Sequence, residues 1–149
     1  MISRVNNQEH SIAEVLYDIF QASYAVEAAL LQAIDFPPLQ RTILEFISSK
    51  SDFYAYYNDN NIAGLIEVKS DKDITHIQSL VVYPNYFRQG IGTKLVQYVI
   101  DTYDTKVFTV ETGVDNYPAI KLYKNFAFIE QSQWDTDHGI RKIRLKRIV

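Results

Sequence analysis

The 149-residue sequence has no cysteine, one methionine, one tryptophan, five glycines and four prolines. The missing cysteine excludes a disulfide scaffold, a thiolate zinc site and a cysteine nucleophile together. No long apolar run is present. The richest stretch, Ala25 to Ile34, is interrupted by Glu27 and Gln32, well short of the ~18 apolar residues a membrane helix needs. The N-terminal MISRVNNQEH lacks the basic flank and apolar run of a secretory signal. Neither charge sign dominates: 15 Lys and Arg stand against 18 Asp and Glu, a net charge of -3, so a general nucleic-acid binder is not expected. These absences leave a cytoplasmic protein away from membranes as the expectation.

What is present is an ordinary globular composition, 47% hydrophobic and 22% charged. A chain of this length forms one domain, 1–149, and buries roughly 70% of its unfolded surface, enough to be stable without a metal or disulfide staple. Residues 2–6 suit a short strand. Ser11 and Glu14 have the form of a capping box ahead of a helix from about Ile12 to Ala22. A second helix is expected from Val26 to Ile34, stopped by Phe36-Pro37-Pro38, and a third from Leu39 to Ser48.

After Lys50 strands take over. Phe53–Tyr57 and Ile62–Lys69 read as a hairpin around the turn Asn58-Asp59-Asn60-Asn61, and Thr75–Tyr83 follows as a third strand closed by Pro84. Helical spacing runs from Gly90 to Asp101. A strand follows at Lys106–Glu111, a short helix near Pro118–Asn125, and two final strands near 126–134 and 140–148. The sum is an α+β domain: a mixed, mostly antiparallel sheet of six to seven strands flanked by helices, with one parallel strand–helix–strand crossover joining Thr75–Tyr83 to Lys106–Glu111.

The densest signal is the run from Val81 to Thr93, where a strand ends and a helix opens on Gly90-Ile91-Gly92-Thr93. Glycine permits positive φ and close backbone approach, and the first amides of a helix have no internal partner. Such a turn suits a phosphate or pyrophosphate, with Arg88 able to add a charge. No Gly-Lys-Ser/Thr follows, so it is not a P-loop, and the third glycine of the dinucleotide fingerprint is missing at Lys94 or Leu95.

The run Leu80-x-Val82-x-Pro84-x-Tyr86-x-x-x-Gly90-Ile91-Gly92-x-x-Leu95 resembles the acyl-CoA-binding motif of the GCN5-related N-acetyltransferase (GNAT) superfamily, written Gln/Arg-x-x-Gly-x-Gly/Ala. Phe87 departs from its first position, and Arg88 and Gln89 stand inside the loop. A second segment is similar to the same family: Glu111, Asn116, Ala119, Leu122-Tyr123, then Phe126-Ala127-Phe128, with Ala127 where glycine is common. Read from chemistry alone, Asp115 or Asn116 caps the short helix and Pro118 sits in its first turn. The two segments span residues 75–128. The part before about residue 50 carries no motif, and the resemblance makes it the acceptor side.

The resemblance implies acetyl-CoA as cosubstrate, with no metal, and direct transfer to the amine of a small molecule or peptide. It places Gln89, Gly90, Ile91, Gly92 and Thr93 around the pyrophosphate, with Arg88 beside them. It places the backbones of Leu80, Val81 and Val82, together with Asn116 and Ala119, along the pantetheine. A lysine amine titrates near ~10.4 and an α-amine near ~7.7–8.0, so attack needs a base, and the departing thiolate needs an acid. Tyr123 matches the family tyrosine that points at the CoA sulfur. Glu111 ends a strand at the sheet edge where ligands bind, and it matches the base glutamate of the ribosomal-protein N-terminal alanine acetyltransferases. His76, Glu67 or a water positioned by Gln78 are rivals for that role. Tyr24, Glu27, Asp35 and Phe36 fall in the region that borders the acceptor in this superfamily. The resemblance also allows a homodimer. Two other classes stay open at this point: a non-catalytic acyl-CoA sensor, and an anion- or RNA-associated protein using the basic run Arg141–Arg147, whose alternation with Ile143 and Leu145 fits a solvated strand better.

Overall fold

A computed structural model describes residues 1–149. Seven strands form one sheet: β1 (Ile2–Val5), β2 (Asp52–Asn58), β3 (Asn61–Ser70), β4 (Ile74–Val82), β5 (Val107–Gly113), β6 (Ile129–Asp135) and β7 (Arg141–Ile148), in the order β1-β2-β3-β4-β5-β7-β6. All neighbours are antiparallel except β4 and β5. Helix α3 (Ile91–Thr102) makes the crossover between that parallel pair. Helices α1 (His10–Leu31) and α2 (Ile43–Ser48) lie on one face of the sheet, while α3 and α4 (Tyr117–Asn125) lie on the other. No helix is long and apolar enough to cross a membrane.

The sheet separates two cores. On one side Leu16, Ile19 and Phe20 of α1 and Phe46 of α2 pack on Phe53, Ala55, Leu65 and Val81. On the other, Ile91, Leu95, Val96 and Val99 of α3 pack on Ile66, Ile77, Phe108, Val110, Ile143 and Leu145. Strand β4 serves both cores, with Ile77 facing the α3 side and Val81 the α1 side, because side chains along a strand point to opposite faces.

Three expectations for the first fifty residues are corrected. The two helices expected at 12–22 and 26–34 are one helix of 22 residues. Their apolar stripes are out of phase, but no glycine or proline interrupts 10–31, and Ala22, Ala25, Ala28 and Ala29 favour continuation. Ser11 does not cap it. Glu9 takes the cap position without a side-chain bond, and Ser11 falls inside the first turn. The helix expected at 39–48 is instead a 3-10 turn at Pro37–Gln40 followed by α2, because Thr42 starts a new helix with a capping box: Glu45 N donates to Thr42 Oγ1 (3.2 Å) and Thr42 N to Glu45 Oε1 (3.1 Å).

The feature that positions the site is the divergence of β4 from β5. Their parallel pairing covers only Ile74–Ile77 against Val107–Val110, although β4 continues to Val82 and β5 to Gly113. The register of β3 on β4 steps from Glu67↔Ser79 to Val68↔Ile77, leaving Gln78 as the extra residue of a bulge. A bulge bends its strand and increases local twist. The divergence therefore begins where β4 bulges.

Candidate active site

The loop after β4 builds an amide cradle. Arg88 (φ 63°) and Gly90 (φ 75°) both adopt left-handed backbone, the second as the cap of α3. The first helical bond runs from Lys94 N to Gly90 O (3.1 Å), and the amides of Gly90, Ile91, Gly92 and Thr93 donate to no protein acceptor. These free N–H groups at the positive end of a helix suit an anion. Arg88, Gln89, Gly90 and Thr93 are exposed, and the Arg88 guanidinium has no ion pair, so it is free for a ligand phosphate. Ile91 is buried and anchors the turn. At Gly92 a Cβ would lie 3.2 Å from Leu122 Cδ1, so the missing side chain lets the start of α3 approach α4 at the residue before Tyr123.

Beyond Ile77 one edge of β4 pairs with β3, through Leu80↔Ile66, Val81↔Leu65 and Val82↔Gly64, while the edge toward β5 has no strand partner. That edge is available to an extended ligand chain by strand addition. The Val81 side chain is core, whereas Leu80 and Val82 are half-buried on the α3 side.

Tyr123 is held by the end of its helix. Ala127 N donates to Lys124 O (3.0 Å) and Phe128 N to Tyr123 O (3.2 Å), the two bonds of a Schellman motif. The hydrophobic contact that accompanies this motif is the Tyr123–Phe128 pair, with ring centroids 5.5 Å apart. Ala127 takes the left-handed position at φ 64°, which explains why glycine is common there. Tyr123 is 3% exposed, and its hydroxyl makes no hydrogen bond with the protein. Burial pushes its ionisation far up, reinforced by Tyr24 and by the Glu27 charge, so the phenol keeps its proton at neutral pH.

Asn116 connects α4 to the rest of the site. Its Oδ1 accepts from Ala119 N (3.4 Å) and caps the helix, while its Nδ2 donates to Glu27 Oε1 and to Thr112 Oγ1 (3.2 Å). Thr112 Oγ1 lies 3.4 Å from the same Glu27 oxygen. Burial raises the Glu27 carboxyl above its ordinary range, against the opposing hydrogen bonds from Asn116 and Thr112 and the nearby charge of Lys142.

On the α1 side of the sheet these groups border a cleft of about 670 Å³ lined by Tyr24, Glu27, Phe36, Arg41, Glu111 and Lys142, among others. Burial raises the Tyr24 phenol strongly, with Glu27 adding to the effect. Glu111 lines the cleft, half-buried, with Oε2 held by Arg144 at 2.6 Å. Glu67 also lines it but is 1% exposed and fully engaged: Arg41 grips both oxygens (2.7 and 2.9 Å), and Ser79 donates at 3.0 Å. The Arg41 guanidinium stacks over Phe46 at 4.2 Å, with Phe20 and Phe53 nearby. His76 sits apart, in a smaller pocket with Lys69 and Arg144, where its Nδ1 meets Thr109 Oγ1 at 2.7 Å and burial lowers its basicity. Gln78 reaches the main cleft, whereas Asp35 does not.

Sequence reasoning missed two parts of this arrangement. The Glu27–Asn116–Thr112 cluster joins residues 85 and 89 positions apart, and the Arg41–Glu67 pair joins residues 26 apart. Thr112 carried no signal of its own. Three of the five cations of the final strand have partners within the protein: Arg141 pairs with Asp135, Arg144 with Glu111, and Arg147 donates to Phe126 O.

Comparison with known proteins matches this architecture. The model of the acetyltransferase (GNAT) family covers residues 13–128, which extends well before the two motif segments into α1. The UPF0157 protein YqkA of Bacillus subtilis is 30% identical over 129 residues, covering 86% of this chain and 38% of its own. An N-alpha-acetyltransferase of Sulfolobus acidocaldarius is 42% identical over 59 residues, 37% of this chain and 35% of its own. The chain thus spans well under half the length of these curated relatives. The crystal structure of the ribosomal-protein-S18-alanine N-acetyltransferase from Escherichia coli superposes with a TM-score of 0.79 at 21% identity, over 100% of this chain and 93% of that one. The amide cradle, the diverging strands and the length of the family match agree: the chain belongs to the GNAT acetyltransferase family.

Proposed function

We propose that the protein is an acetyl-CoA-dependent N-acetyltransferase that transfers the acetyl group to a primary amine by direct attack in a ternary complex. The observation that carries this reading is the free edge of β4 between the amide cradle at Gly90–Thr93 and the buried phenol of Tyr123. The residues fit the cosubstrate. Amides 90–93 and Arg88 suit the pyrophosphate, and the backbone of Leu80–Val82 suits the amide-bearing pantetheine arm. Asn116 and Ala119 lie where α4 begins beside it.

In this reading the amine approaches from the cleft on the α1 side. A backbone amide of the free β4 edge polarises the thioester carbonyl. Tyr123, protonated and without a competing partner, gives its proton to the departing thiolate. Of the four carboxylates that line the cleft, Glu27 from α1 and Glu111 from β5 are the two left to take the amine proton, since Glu67 is gripped by Arg41 and Glu45 caps α2. The names of the relatives, N-alpha-acetyltransferase and ribosomal-protein alanine N-acetyltransferase, favour a peptide α-amine as acceptor. The cytoplasm, where acetyl-CoA and such amines meet, is the proposed setting.

Titration calorimetry tests the reading at its base. Acetyl-CoA binding is expected, and it should weaken when Gly90 is replaced by valine. No binding at millimolar cofactor would overturn the reading.

A further inference from the structure

We infer that the open, cationic face of β5 and β7, continued onto β3 by Lys69, is a docking surface for an acidic polypeptide. The stretch of acceptor chain that follows the amine carries carboxylates, and Lys69, Lys142 and Lys146 receive them. The inference rests on the acetyltransferase reading above and deepens it by giving the acceptor its charge.

The sheet register brings these residues onto one face. Lys69 lies opposite His76, His76 beside Thr109, and Thr109 opposite Lys146, so four adjacent strands present one row. The next rows on β5 and β7 are Glu111 with Arg144 and Gly113 with Lys142. Phe108, Val110, Ile143 and Leu145 lie in the core under α3, so the residues between them face the α1 side. There the core beneath α1 and α2 draws only on β1 to β4. Apart from the end of α1 at Gly113, no helix packs on β5 and β7 on this face.

The charge of this face is one-sided. In a chain of net charge -3, the uncovered strands carry Lys69, Lys142, Arg144 and Lys146, and Glu111 is the one carboxylate among them. Glu111 is committed to Arg144 at 2.6 Å. Asp71, at the rim beside Lys69, accepts from the amides of Asp73 (2.7 Å) and Ile74 (2.8 Å). Lys69, Lys142 and Lys146 have no ion pair. The cations on the opposite face of β7 differ: Arg141 pairs with Asp135, and Arg147 donates to Phe126 O and lies over the Phe108 ring. Burial lowers the basicity of His76, Glu111 opposes that effect, and Arg144, Lys69 and Lys142 add to it, so three cations act on one point of the face. Uncompensated charge of one sign raises the local potential and draws in an anionic ligand.

Position joins this surface to the cleft. Lys69, Glu111 and Lys142 line the cleft, and Lys69 and Arg144 also line the smaller pocket beside it. Lys69 and Lys146 stand three strands apart, about 14 Å, too far for one small carboxylate to meet both. From Lys142 at the cleft to Lys146 is about 13 Å along β7, the reach of about four extended residues. A chain whose amine enters the cleft therefore brings its first several residues over the lysines. The net charge of -3 opposes a nucleic acid as the occupant.

The test uses two fluorescein-labelled peptides that share an N-terminal alanine with a free amine. One carries aspartate and glutamate over about the next five positions, matching the extended reach above, and the other asparagine and glutamine. Binding is followed by fluorescence anisotropy with CoA present, and transfer by thiol release from acetyl-CoA. The acidic peptide should bind more tightly and show the lower KM at equal kcat, with the difference shrinking from about 0.1 M to about 1 M salt as screening shortens. Lys69→Gln or Lys146→Gln should each raise the KM of the acidic peptide about 1.4–5-fold, leaving kcat and the neutral peptide unchanged. The double variant Lys69→Glu with Lys146→Glu should abolish the preference, and the glutamine variants decide if it does not fold. Lys50→Glu, the same charge change at an exposed site between α2 and β2, should alter neither peptide. The inference is overturned if the two peptides bind and react alike, if the preference survives in the double variant, or if a homopolymeric RNA binds this face more tightly than the acidic peptide and loses it in that variant. Transfer to amines without the acidic preference overturns the inference and leaves the acetyltransferase reading. Preferential binding of the acidic peptide with no amine acetylated supports the surface and overturns that reading.

Discussion

The proposed cosubstrate half and the proposed acceptor half of this molecule are made by different means. The first is built from contiguous backbone: a strand edge, a loop in left-handed conformation and four free amides, all within residues 78–93. The second is built from side chains gathered from α1, the 3-10 turn, α2, β3, β5 and β7 around one cleft. A backbone device leaves a local trace, because glycine must stand where φ is positive or where helices touch. A side-chain device leaves none until the fold brings its members together. The difference also separates what each half can tolerate. The cradle is sensitive to backbone conformation, and the cleft to the loss of any one charge.

The largest predicted effect lies where the halves meet. Tyr123→Phe removes the acid while keeping the ring packed on Phe128, so kcat should fall about 10²–10⁴-fold with acetyl-CoA affinity unchanged. Equal losses in rate and affinity would show that Tyr123 belongs to the cosubstrate half alone.

The next effect belongs to the cleft wall. Arg41→Ala leaves Glu67 buried without its partner, which typically costs about 3–5 kcal/mol, read as a lower urea midpoint. Cofactor binding per folded molecule should survive. An unchanged midpoint would mean that the Arg41–Glu67 pair does not hold the wall.

Gly113→Ala tests the boundary from the other side. Its new Cβ would meet the Leu31 methyls at 2.8–2.9 Å, so the Leu31 side chain must turn aside or the end of α1 must shift, at a cost of up to about 1–3 kcal/mol. The amine KM should rise while cofactor affinity holds. A change in cofactor affinity instead would dissolve the distinction between the halves.

The smallest effect is a gain. Ala127→Gly relieves a left-handed alanine, which costs about 1–2 kcal/mol, partly offset by the greater freedom of glycine in the unfolded chain. A rise of up to about 1 kcal/mol in unfolding free energy is expected with kcat unchanged, since the Schellman bonds that hold Tyr123 are already made.

The legibility of the sequence follows the same division. The crossover from Thr75 to Glu111 is found as expected, with a parallel pair and a helix opening on Gly90, because strand alternation, Pro84 and the two glycines are local signals. The final strand also forms, with Arg141 and Arg144 paired to Asp135 and Glu111. The first fifty residues are less legible. The apolar stripe of α1 shifts phase near Ala22 without a breaker, so periodicity divides one helix into two. The capping box at Thr42–Glu45 was hidden inside an apolar-rich stretch, whereas the false one at Ser11–Glu14 fitted the same pattern. Asn116 was legible as a cap and through its motif, but its second bond to Glu27 depends on α1 lying across β5, which nothing in either segment states.

The most direct measurement is free thiol released from acetyl-CoA by the purified protein across a panel of primary amines: peptides with free N-termini, N-terminally blocked peptides bearing lysine, polyamines and amino acids. Thiol release stoichiometric with acetylated product is predicted for at least one class, with peptide α-amines favoured. Tight acetyl-CoA binding with no amine acetylated would contradict the account and leave the protein as an acyl-CoA sensor.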